Sequence, residues 1–138
     1  MQEQPLLNEA QKRSLNTALR LLEERLFYVE LLLKNGPYRG ILFNLEIDLN
    51  KNQREQLENT IKKLKRLIAQ MKNILELKVK NSDLSSLLQS SAIYFWTIFE
   101  DEQPEKLKRY GAVHQNLHQV LQPLLQELIA TLKKMESL

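Results

Sequence analysis

With 43% hydrophobic and 27% charged residues but only 3 Gly and 4 Pro among 138, the chain has too little turn chemistry for an all-β fold and too much apolar content for disorder. It contains no cysteine, which excludes a disulfide framework, a thiol nucleophile and thiolate metal sites. Its 20 basic and 17 acidic residues are intermixed and leave a formal charge of +3, too mild to imply nucleic acid. The length matches one ordinary domain spanning 1–138. The N-terminal MQEQPLLNEAQ has no basic stretch leading into an apolar one, and no later run is apolar enough to span a membrane. The expectation is a cytoplasmic, all-α protein with no membrane partner.

From Leu15 the apolar residues Leu15, Leu19, Leu22, Leu26, Val29 and Leu33 fall at alternating steps of four and three, a heptad seam. Asn8 with Gln11 reads as a capping box and Gly36-Pro37 as a stop, which predicts a first helix over 8–35. Leu21, Phe27, Tyr28, Leu31 and Leu32 flank the seam, more than a single neighbouring helix would cover.

The connector 36–50, GPYRGILFNLEIDLN, is long and apolar for a bundle loop. Ile41, Phe43, Leu45, Ile47 and Leu49 alternate with a strand period, while Leu42, Leu45 and Leu49 suit a helical turn. With no second strand-like segment to pair with, a short helix or extended cover over the bundle end is expected for 37–49. Strand pairing across a homodimer is the alternative.

A second seam, Leu57, Ile61, Leu64, Ile68, Met71 and Leu75, predicts a helix over 51–79 capped by Asn50 and Gln53. Asn81-Ser82-Asp83 caps a third helix through Leu84, Leu87, Leu88, Ala92, Phe95, Ile98 and Phe99, ending near Glu102. A fourth, opened by Pro104, runs to 136, with a kink or break around 119–123 because Pro123 cannot donate to the Gln119 carbonyl, and Gly111 is a second soft point. The short predicted connections force antiparallel neighbours, so the fold class expected is an up-down-up-down four-helix bundle.

Chemistry-bearing patterns are few. His114 and His118, four apart on the fourth helix, share a face and are the candidate metal pair. HQNLH lacks the glutamate of HExxH and no third ligand is marked, so neither a metal nor another cofactor is expected. The run Lys62-Lys63-Leu64-Lys65-Arg66 lies among glutamates at 55 and 58, the mixture of a solvated helix face, and no aromatic is interleaved for base stacking. Glu100-Asp101-Glu102 and Glu105 complement the positive end of the fourth helix.

Arg109 and His114, in RYGAVH, resemble the R-x(4-6)-H motif of the HEPN superfamily, helical-bundle domains that include metal-independent RNases and toxin partners of nucleotidyltransferases. The resemblance implies that the two side chains meet at a dimer cleft, where they bind phosphate and move a proton during RNA cleavage. The motif covers six residues, with Tyr at 110 and Asn at 116 where family members carry a polar residue and a tyrosine respectively.

The preferred expectation is a non-enzymatic helical module acting as a homodimer or on a partner protein. Phe27, Leu31, Phe43 and Trp96 are its candidate interface residues. A HEPN-like RNase using Arg109 and His114 is the alternative, and RNA is a partner only under it.

Overall fold

The Asn8 side chain accepts the Gln11 N–H at 2.8 Å while the Gln11 amide oxygen accepts the Asn8 N–H at 2.9 Å, a reciprocal capping box that opens the first helix. This is seen in a computed structural model that describes residues 5–138, so the first four residues of the N-terminal reading lie outside it. The described residues are mostly helical: α1 (Glu9–Asn35), α2 (Lys51–Ile74), α3 (Leu84–Glu100), α4 (Pro104–Leu107) and α5 (Leu117–Glu136), with a 3-10 turn at Lys108–Tyr110 and a sheet of two short strands. None of these helices is long and apolar enough to cross a membrane. The chain divides into two compact units, Met1–Val79 and Lys80–Leu138.

In the first unit α1 and α2 face each other along the two seams. Leu26, Leu33 and Ile61 are buried, and Val29, Leu57, Leu64 and Ile68 pack against them. Burying each of the three contributes roughly 1.5–3 kcal/mol relative to leaving it in water. The pair is antiparallel: the Asn16 amide donates to the Lys78 carbonyl at 2.8 Å, Lys65 pairs with Glu30, and the Arg54 guanidinium donates to the Leu33 carbonyl. That last bond satisfies one of the carbonyls left open at the end of α1.

α2 stops at Ile74 rather than 79. Glu76 takes φ +54 and the Leu77 N–H returns to the Lys72 carbonyl at 2.9 Å, the six-to-one bond of a Schellman ending. The turn rotates Leu77 inward, where it is buried. Apolar burial beyond the turn thus ends the helix without a glycine to announce it.

The connector is extended and not the short helix that was the other expectation. It folds onto itself as an antiparallel hairpin, β1 (Tyr38–Arg39) with β2 (Asn44–Leu45), Tyr38 opposite Leu45 and Arg39 opposite Asn44. The second strand that the sequence lacked is therefore supplied by the same segment, across a turn in which the Gly40 N–H donates to the Phe43 carbonyl at 3.0 Å. A side chain at position 40 would meet that carbonyl oxygen at 2.5 Å and the Tyr38 ring at 2.6 Å, so only glycine fits there. Arg39 and Glu46 form a two-pronged ion pair beside the strands, and the Tyr38 and Phe43 rings stack at 5.1 Å. Ile47, one of the apolar residues singled out in this segment, packs on the α1–α2 core.

In the second unit the Asp83 carboxylate accepts the Ser86 N–H at 2.8 Å and caps α3. Leu88, Ala92, Trp96 and Phe99 form the inward line of this helix, Ala92 being fully buried. Leu125 and Ile129 are the buried residues of α5. The Trp96 indole donates to the Glu136 carboxylate at 3.1 Å, and the Lys133 ammonium sits 4.7 Å from the indole ring centre. The C-terminal ends of α3 and α5 therefore lie side by side. A tight antiparallel turn would have set the end of α3 beside the start of the next helix. Residues 101–116 intervene instead.

The predicted fourth helix is split at its second soft point, Gly111, and not at Pro123. α5 runs through Pro123 unbroken; the interruption falls at 111–116, where Gly111 adopts φ +145 and His114 and Asn116 bond to each other. α4 and the 3-10 turn are what remains of the helix start, with Pro104 at its first position.

Candidate functional site

Four patterns could hold chemistry: the arginine–histidine pair, the two histidines, the basic run and the exposed apolar residues.

Arg109 lies in the 3-10 turn. Its guanidinium pairs with the Asp101 carboxylate at 3.0 Å and sits 4.9 Å from the centre of the Tyr110 ring. The hydrogen bond to Asp101 raises its pKa further above the ordinary arginine value, so it stays charged and already engaged. His114 lies in the irregular segment before α5, where its Nδ1 accepts the Asn116 N–H at 3.0 Å. The expectation that both sit on one helix is thereby corrected: neither is on a long helix, and the helical spacing that would aim them into one cleft is absent.

The same split separates the histidine pair. His118 is in the first turn of α5 and His114 precedes it, so the four-residue spacing no longer places them on one face. Among the described residues, no group of three His, Asp or Glu side chains is gathered as a metal cage.

The basic run of α2 borders a cleft of about 310 Å³ between α1 and α2, with Leu33 and Ile61 as its floor and Lys34, Arg54, Lys62 and Lys65 on its rim. Glu58 pairs with Arg54 at 3.4 Å and Glu30 with Lys65, so carboxylates balance half of those cations. Exposed pairs of this kind contribute at most about 1 kcal/mol, and their arrangement is that of a solvated helix face.

The apolar candidates fare differently from one another. Phe27 and Leu31 are exposed one turn apart on α1, and Phe43 is exposed at the hairpin. Trp96 is half-buried and tied to Glu136 and Lys133, which makes it first a packing residue of its own unit. Two further features escape a reading by segment. Ile41 and Leu42, at the hairpin tip, are 100% and 97% exposed, because the turn projects them away from the strands beneath. On α3, Leu84, Leu87, Tyr94 and Ile98 are exposed on the side turned from the inward line. Their three-and-four spacing is legible in the sequence, but it interleaves with that of the inward residues in a single apolar run.

Comparison of the chain with protein-family models, curated proteins and solved structures finds no match.

Proposed function

We propose that this chain is a non-enzymatic helical module, acting in the cytoplasm, that works by self-association or by binding a partner protein. The observation that carries the reading is the imbalance of its apolar surface. Seven hydrophobic residues are buried among those described, while Phe27, Tyr28, Phe43, Leu87 and Tyr94 are each more than half exposed. Exposed aromatic and aliphatic side chains in such number mark contact surfaces in soluble proteins. The antiparallel α1–α2 pair supports a four-helix order, and the hairpin that joins the two helices leaves Phe43 exposed.

The RNase alternative has less support: Arg109 is occupied by Asp101 and Tyr110, and His114 lies off the helix. Light scattering across a concentration series tests the preferred reading. A dimer that Phe43→Lys weakens is the expected result. A monomer at high concentration that also shows metal-independent RNA cleavage, lost in His114→Ala, would replace it with the alternative.

A further inference from the structure

α3 carries a second apolar stripe. Leu88, Ala92, Trp96 and Phe99 turn toward the interior of their unit, whereas Leu84, Leu87, Tyr94 and Ile98 stand on another side and are exposed. With half-buried Ser91 between them these positions are spaced three, four, three and four, the repeat that keeps one face of a helix against another helix. Phe95, at the edge of the stripe, is also exposed.

Three properties of the stripe point to one occupant. First, it is uncharged. From Leu84 to Phe99 the helix contains no Lys, Arg, Asp or Glu, and Glu100 is its last residue. A charged partner would find nothing to complement, and a second copy would meet no like-charge repulsion. Second, the stripe is self-complementary. A two-fold axis at Ser91, the one small residue on it, lets two antiparallel backbones approach there; Leu84 then falls beside the partner's Ile98 and Leu87 beside the partner's Phe95. Apolar groups meet apolar groups on both sides of the axis, as a contact between identical patches requires. Third, the area suffices for a weak dimer. The exposed parts of Leu84, Leu87, Tyr94, Phe95 and Ile98 amount to about 500 Å² per copy, or about 1,000 Å² in all, the lower bound for a specific interface.

We infer that α3 is a homodimer contact, with two copies of the chain pairing their α3 stripes antiparallel about Ser91. The inference rests on the self-association reading above and names its surface. The pairing is concentration-dependent, in the micromolar range that an interface of this size reaches.

The chain has no cysteine, so one introduced thiol reports on one position. In the full chain, Ser91→Cys places two sulfurs across the axis within disulfide reach. Under oxidised glutathione it is expected to form a covalent dimer at least about tenfold faster than Gln89→Cys, which lies on the opposite side of α3. Leu87→Glu, at an exposed site where folding is expected to persist and circular dichroism checks it, is expected to shift the light-scattering mass toward monomer. If the protein dimerises while Ser91→Cys and Gln89→Cys cross-link equally slowly, self-association stands and the α3 contact is overturned. If the chain remains monomeric at high concentration, self-association itself falls. The same monomeric result, with hydrogen exchange showing the stripe protected, means that the stripe is covered within one chain, and this also overturns the contact.

Discussion

Replacing Glu76 with glycine is expected to stabilise the protein, because the residue stands at the left-handed end of α2, where glycine is favoured. Glu76 is the only non-glycine described residue at positive φ, +54, where its Cβ crowds the following carbonyl at about 1–2 kcal/mol. Its side chain is exposed and makes no hydrogen bond or ion pair among the described residues, so truncation removes nothing else. Glycine relieves the crowding but gives the unfolded chain more freedom, an offset of about 0.4–1 kcal/mol. The net gain is about 0.5–1 kcal/mol, which raises Tm by about 2–4 °C in a chain of this size. Thermal and urea melts followed by circular dichroism measure it. Glu76→Ala, which keeps the Cβ, should stay near the parent, and Glu76→Val should fall below it because a branched side chain tolerates this conformation least. Equal midpoints for the glycine and alanine variants would refute the argument that a left-handed residue, held by the bond from Leu77 to Lys72, ends α2.

Gly40→Ala tests the hairpin. A Cβ 2.5 Å from the Phe43 carbonyl oxygen must displace the backbone, a clash worth about 1–3 kcal/mol, and the Tyr38–Phe43 ring contact should disappear from the NMR spectrum. Unchanged stability with that contact retained would show that the turn is built differently. Asp83 predicts an acid-sensitive component of α3. The Ser86 N–H holds the pKa of Asp83 below the usual carboxylate range, and a group depressed in the folded state stabilises fully above its unfolded value of about 4. That contribution is lost as pH falls through the folded value. Helicity should drop on acidification more in the parent than in Asp83→Asn, which keeps an acceptor that does not titrate; identical acid profiles would contradict it.

The helix starts were legible because their determinants lie within four residues of each other. Asn8 with Gln11, Asn50 with Gln53, and Asp83 before Ser86 cap helices as their spacing predicts. The α1 and α2 seams were equally legible, since their period survives any choice of partner. Of the residues singled out for an interface, Phe27, Leu31 and Phe43 are exposed, whereas Trp96 is held by Glu136 forty residues away, a contact no local pattern encodes. The RYGAVH motif kept its residues and lost its helix, because a string of residue types does not specify the backbone that carries it.

Local chemistry by itself thus determined that the chain is helical, where most helices begin and which lines of α1 and α2 face inward. Tertiary structure decided the rest. Burial of Leu77 ended α2 early, and docking of Ile47 on Leu26, Leu33 and Ile61 accompanies a connector folded as a hairpin. The bond between Trp96 and Glu136 set the ends of α3 and α5 together. Local backbone preferences differ between alternatives by about 1 kcal/mol or less, and a buried side chain such as Leu77, worth about 1.5–3 kcal/mol, is enough to choose.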